Sequence, residues 1–415
     1  MTAREAGDVY DAVIVGAGPA GSAAAILLAR AGWSVALLEK QRFPRRKVCG
    51  ECIAASNLPL LDGLGLGAVI AHDAGPELHS VALMRGNTTA LAAMPAAGTR
   101  YPWGRALGRE TLDVLLVEAA RRAGAALIQP CTVTAITGGP GNWQVTVRAA
   151  DGPPSLQARV AIAAHGSWEA LPSGRARRRL ARSGADLFAF KANFRGAVLA
   201  PGYLPVLALD GGYGGMVVAE GGVLTVACCV RRDRLDALRA KAPGRRAGEV
   251  VEDWLRRQCG GVDRALAGAQ RDGAWLASGP IDPGVRVRAN DRLLRIGNAA
   301  GEAHPILGEG ISMALQSAGL LCELLLGGCT ADQRSDVAWQ AGVARQYAAR
   351  WRAQFALRLR LAALIAQLAM RPAGARAIML LAGAWPGVMT WSARLGGKIR
   401  CAPDPALYRP AGRAP

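Results

Sequence analysis

The chain of 415 residues is poor in aromatic rings, histidine, lysine and acid. Phe, Trp and Tyr account for 5% of it, histidine occurs 4 times, and only five of the 50 basic residues are lysines. With 51% apolar residues but so few rings, the interior must be built from Ala, Leu, Val and Gly. That composition excludes a disordered tail, a fibre and a small disulfide scaffold. No stretch of 18 or more apolar residues occurs; the nearest, Ala377 to Trp385, stops at Pro386, so no membrane-spanning segment is expected. The first residues lack a basic region, an apolar stretch and a cleavage site in that order. The 9 cysteines are odd in number and lack secreted-framework spacing, so a reducing cytoplasm is the expected compartment.

Acid is scarcest near the C-terminal end. The 31 Asp and Glu leave a net charge of +19, and from Val337 onward twelve basic residues face one acid, Asp404, which puts +11 of the excess in one segment. Arginines are interspersed along the chain rather than gathered in dense runs, so no nucleic-acid partner is expected.

What is present begins with Asp11-Ala-Val-Ile-Val15, an apolar run with the character of a buried parallel strand. It enters Gly16-Ala-Gly18-Pro19-Ala20-Gly21, then a helix-forming stretch to Arg30 and a second strand, Ser34 to Leu38, ending at Glu39. Gly16 permits the tight turn, Gly18 lets backbone approach a pyrophosphate, and Gly21 lets helix pack on strand, with the helix N-terminus facing the anion. Glu39 can accept hydrogen bonds from ribose hydroxyls, and Lys40 beside it is a further cofactor-binding candidate. The motif predicts dinucleotide binding and leaves NAD and FAD open.

Asp291-Arg-Leu-Leu-Arg-Ile-Gly297-Asn298-Ala-Ala-Gly301 reads as a strand and turn, followed by His304-Pro305-Ile-Leu-Gly308-Glu-Gly310 and a helix from Ile311 to Leu326. This arrangement resembles the second FAD fingerprint of the flavoprotein hydroxylase superfamily, which includes aromatic and ubiquinone-pathway hydroxylases, flavin halogenases and geranylgeranyl reductases. The resemblance implies FAD as cofactor, with Gly297 and Asn298 at its ribityl or phosphate region. It also implies that Pro305, Gly308, Gly310 and Ile311 present a helix N-terminus to the flavin ring, where the dipole stabilises the anion formed on reduction. Most relatives have Asp where this chain has Asn298. Arg109-Glu-Thr-Leu-Asp113 resembles the family's Arg-x-x-Leu-Asp helix, whose Arg lies near the cofactor. Phe43-Pro-Arg-Arg-Lys47-Val-Cys49-Gly50-Glu51 resembles the segment beside the flavin in the reductase and halogenase branches, which implies Lys47, Cys49 and Gly50 as cofactor-binding residues.

The chain departs from the family in three places. His165-Gly166 stands where an Asp-Gly pair helps to hold FAD and NAD(P)H; NAD(P)H remains the expected electron donor. Of the reductases' Tyr-x-Trp-x-Phe-Pro signature only Tyr213 is kept, and the halogenases' Trp-x-Trp-x-Ile is missing. Cys49-Gly-Glu-Cys52 is read either as two loop cysteines or as a redox or flavin-tuning role for Cys49. His304 is read either as a turn residue or as a proton-exchanging one. These two, His304 and Cys49, are the catalytic candidates, and no metal is expected.

The expected fold class is mixed α/β: a Rossmann-type FAD-binding domain (1–75, 105–180, 285–330) with an antiparallel substrate sheet (76–104, 181–284) and an Arg-rich helical cap (331–415). Cys131-Thr-Val-Thr and Val145-Thr-Val-Arg are expected in a small covering sheet. Trp351, Phe355 and Leu359 share one helical face at spacing four. The cap either packs on the FAD domain or, as a basic amphipathic element, touches the inner face of an anionic membrane. Trp385, Met389 and Trp391 are candidates for a lipophilic entrance. The favoured activity is monooxygenation of an aromatic, polyketide-like or other lipophilic small molecule in a dry cavity. The alternatives are flavin-mediated reduction of an isoprenoid or conjugated double bond, and non-enzymatic flavin-bearing lipid binding or electron carriage.

Overall fold

Strand Val9–Val15 is buried along almost its whole length, as its apolar run requires. It lies within a parallel array in a computed structural model that describes residues 9–98, 100–149, 153–167, 182–385, 387–395 and 405–408. Val35–Leu38 flanks it on one side with Ala126–Ile128 beyond, and Ser155–Ala163 flanks it on the other, itself paired in parallel with Leu294–Arg295. Helix Pro19–Arg30 connects the first two strands and is buried from Pro19 to Leu28. Its alanines allow close contact with helices Gly310–Leu326 and Arg109–Arg122, which is how a ring-poor sequence reaches interior density.

The expected covering sheet is continuous with the parallel one. Asn142–Ala149 pairs antiparallel with the first residues of Ser155–Ala163, and Cys131–Gly139 adds beyond it. At nine residues, Ser155–Ala163 is long enough to join this hairpin to the parallel strands.

The second sheet runs in the order Gln270–Ile281, Leu187–Arg195, Leu224–Arg231, Gly212–Val218, Tyr203–Leu209, Ser80–Arg85, Thr88–Ala93. All pairs are antiparallel except Tyr203–Leu209 with Ser80–Arg85. Its edges are Gln270–Ile281 and Thr88–Ala93, where polar and small residues leave a weak apolar alternation. One face is covered by helix Ala247–Gln258 through Trp254 and Leu255.

Helix Val337–Ala369 starts at Asp336, whose carboxylate accepts from the backbone N–H of Ala338 and Trp339. Trp351, Phe355 and Leu359 are buried together, as their spacing predicts. The cap reaches further than the FAD domain, however. Ala366 and Met370 pack with Leu187, Tyr213 and Cys229 of the second sheet, and Ala375, Met379 and Ala382 of helix Pro372–Ala384 pack with Leu83, Ala90 and Ala208. The C-terminal helices therefore strap both sheets together.

Candidate flavin site and substrate cavity

The turn after the first strand is a cradle that tolerates no side chain at two of its glycines. Gly16 has φ +107°, and a Cβ there would lie 2.5 Å from the carbonyl oxygen of Ala164; a Cβ on Gly21 would overlap the carbonyl oxygen of Gly16. Gly18 is different: space opens above it, and the guanidinium groups of Arg45 and Arg109 lie 3.9 and 3.8 Å from where its side chain would begin. The cradle is thus a backbone floor at a helix N-terminus beneath two cations, which suits a pyrophosphate.

Those cations are held from behind. Arg109 bonds Asp113 through both carboxylate oxygens, at 2.8 and 2.7 Å, and Arg45 reaches the same carboxylate at 3.1 Å and Glu39 at 3.2 Å. Burial opposes the charge of Arg109, but Asp113 outweighs it and holds the guanidinium above its usual pKa. Arg45 is buried and its Nε has no hydrogen-bond partner among the described residues, a cost that an anionic ligand would offset. Glu39 also accepts from the backbone N–H of Ala17 at 3.1 Å, which fixes it at the end of its strand.

From this cradle a cavity of about 1340 Å³ extends to the second sheet and the C-terminal helices. Gly16, Gly18, Pro19, Ala20, Glu39, Lys40, Lys47, Cys49, Gly50 and Arg109 all lie on its wall. So do Gly297, Asn298, Pro305, Gly308, Gly310 and Ile311. Gly21 sits beneath the wall, against Gly16. The amide nitrogen of Asn298 donates to Ser167 at 2.8 Å, and Ser167 donates to Glu302 at 2.7 Å. With buried Glu302 already in this chain, an amide at 298 avoids placing a second carboxylate beside the first. Met389 reaches the cavity wall, Trp385 is exposed to solvent, and the side chain of Trp391 lies outside the described residues.

One placement departs from the reading of His304 as a residue that meets flavin or substrate. The ring of His304 is buried behind the wall, with Nδ1 2.8 Å from the hydroxyl of Tyr213, and it is Tyr213 that faces the cavity. Cys49 and Cys52 are not joined in a disulfide; Cys49 lies on the cavity wall, as expected, and accepts from the backbone N–H of Glu51 at 3.3 Å.

Glu51, the third residue of that loop, escaped notice as a site residue. It has φ +58° and is fully buried, accepting from Thr225 at 2.6 Å, from the backbone N–H of Arg109 at 2.8 Å and from Lys191. Lys191 is a lysine within the apolar strand run Leu187-Phe-Ala-Phe, a visible signal in a chain with five lysines. Arg45 was hidden among three consecutive cations. Only the fold shows that it turns inward while Arg46 turns out to Glu110 and Asp272.

Burial pushes the imidazole of His304 down to about 4, so it is neutral at ordinary pH. The unfolded chain then binds a proton that the folded chain refuses. Stability from this residue is complete above its unfolded pKa of 6.5 and is lost as pH falls toward 4, by up to about 3 kcal/mol. Urea midpoints measured between pH 7 and 4.5 are expected to fall more steeply for the native chain than for His304→Gln. Equal slopes would refute the burial argument.

The FAD binding domain family matches residues 9–180, the segment that carries the cradle, Glu39 and Arg109. The segment is thus an FAD-binding domain of the kind found in FAD-dependent oxidoreductases. This flavoprotein is 29% identical over 338 residues to conditioned medium factor receptor 1 of Dictyostelium discoideum, aligning over 75% of its own length and 62% of that protein's. It is 28% identical over 356 residues to a menaquinone reductase of Mycolicibacterium smegmatis, across 81% of each chain. Its fold is similar to that of the myxobacterial chondrochloren halogenase, with TM-score 0.72 and 18% identity over 96% of this chain and 92% of the other. FAD fits the residues present: the Gly18 floor, the two guanidinia and the unpartnered Nε of Arg45 would hold its pyrophosphate, and Glu39 its ribose.

Proposed function

We propose that this flavoprotein reduces carbon–carbon double bonds in a lipophilic, isoprenoid-type molecule, the alternative that the sequence ranked second. The observation that carries the reading is the buried Tyr213–His304 pair, whose tyrosine lines the cavity. Saturating a double bond requires a hydride at one carbon and a proton at the other. Reduced FAD, when bound, supplies the hydride.

The proton must come from a group that is protonated at neutral pH and faces the substrate. Tyr213 meets both conditions: burial pushes its phenol well above the usual value, and the residue lines the cavity. As the O–H bond of Tyr213 breaks and the new C–H bond forms, the phenolate left behind is stabilised by the N–H of Ile306 and by the Nδ1–H tautomer of His304. His304 is then a positioning residue. Cys229 packs alongside with burial holding its thiol at about 12, so it stays protonated. The similarity to a menaquinone reductase over most of both chains supports the same reaction class.

Monooxygenation, the activity the sequence favoured, would use the same dry cavity, and one experiment separates the two. Protein reconstituted with FAD is reduced anaerobically by dithionite or, in parallel, by NAD(P)H. It is then given a quinone with a short isoprenoid chain. After reoxidation in air, which returns any quinol to the quinone, the expected product still carries two added hydrogens in its isoprenoid chain. No saturation without oxygen, together with an oxygenated product in air, would sink the reductase reading.

A further inference from the structure

Helix Val337–Ala369 is apolar on two sides. One side carries Trp351, Phe355, Leu359 and Ala362 into the interior. The other presents Leu357, Leu361, Leu364, Ile365 and Leu368 to solvent, between 44% and 66% exposed. Their spacing of three and four makes one stripe. After a 105° bend the stripe continues on Pro372–Ala384 with Leu380, Leu381 and Trp385, at 75%, 50% and 67% exposure.

No single helix among the described residues is long and apolar enough to cross a bilayer. Leaving eight such side chains in water on one pair of helices marks a surface made to be covered. The charge around it says by what. Between 337 and 395 the chain has eight arginines and no acid, and Arg360, Arg371 and Arg376 stand exposed along the stripe. An arginine-fringed apolar helix pair fits the interface of a membrane bearing anionic headgroups. A second copy of this chain would set those arginines against their like.

The stripe is also continuous with the cavity: Leu361 and Ile365 are exposed and line it as well. We propose that the bent C-terminal helix pair seats this protein in the surface of an anionic bilayer and that the cavity opens onto the lipid there. A substrate dissolved in the bilayer then enters past Leu361 and Ile365 without crossing water. The entry route rests on the reductase reading; the docking does not.

The test is sedimentation of the full-length, FAD-loaded protein with vesicles of phosphatidylcholine containing about one third phosphatidylserine, and with phosphatidylcholine alone. The native protein is expected to pellet with the anionic vesicles. The triple variant Leu364→Ser, Leu368→Ser, Leu380→Ser should bind them at least roughly tenfold more weakly. All three positions are exposed and outside the cavity wall, so anaerobic saturation of a short-chain substrate supplied in solution should be unchanged. Native protein that stays in the supernatant, or pellets no better than the variant, overturns the proposal. So does a native dimer that the variant breaks while neither binds vesicles. Vesicle binding lost in the variant while no substrate is saturated leaves the docking standing and removes only the reductase reading.

Discussion

Tyr213→Phe is expected to lower anaerobic turnover by roughly 10²- to 10⁴-fold, the range over which a positioned acid contributes to catalysis. The ring is buried in the second sheet and the substitution removes one oxygen, so packing and FAD retention should be preserved. KM should change little, because the proton is needed in the transition state and not for binding. His304→Gln should be milder in turnover but should shift its pH profile, since the phenolate loses a neutral donor whose geometry is fixed by burial. Undiminished turnover in the Tyr213→Phe protein, with its yellow flavin intact, would remove the proton-donor role.

Lys191→Met is expected to destabilise the protein by about 3–5 kcal/mol, because it leaves the carboxylate of Glu51 buried without its cation. Thr225 and the N–H of Arg109 would still bond that carboxylate, but neither carries charge. The double variant Glu51→Gln, Lys191→Met should recover much of the loss, since an amide can keep both remaining hydrogen bonds at far lower desolvation cost. Urea unfolding of the single and double variants measures the difference. Strict additivity would mean that the pair is not coupled. The consequence reaches the cavity because Glu51 closes the loop that brings Cys49 and Gly50 to its wall and ties it to the first residue of the Arg109 helix. An altered flavin absorption band in the Lys191→Met protein would register that loop's displacement.

The relation between sequence and structure differs between the two halves of the site. The cradle was legible because strand, turn, helix and Glu39 follow one another within about thirty residues, and each glycine's task is set by its immediate neighbours. The Arg109 helix and the Asn298 turn were legible in the same way, as continuous motifs. The pairing of Arg45 with Asp113, of Glu51 with Lys191 and of Tyr213 with His304 was not. The last two join residues 140 and 91 positions apart, on different sheets and loops. His304 shows the limit most plainly: its neighbours in the chain place it at the flavin turn, yet the second sheet brings Tyr213 between it and the cavity.

The C-terminal segment divides the same way. Its charge, its helical period and the inward face with Trp351, Phe355 and Leu359 follow from the order of residues, because a single helix relates them. That the opposite leucines stay uncovered depends on which surfaces remain after both sheets have packed beneath the strap. By itself, then, the sequence determined a dinucleotide cradle, a flavin-type second fingerprint and a basic helical tail, since each depends on contacts a few residues long. Only the tertiary structure decided that Tyr213 lines the cavity, which lysine neutralises Glu51 and which leucines stay uncovered beside the cavity, since those contacts exist only once distant strands and helices have packed together.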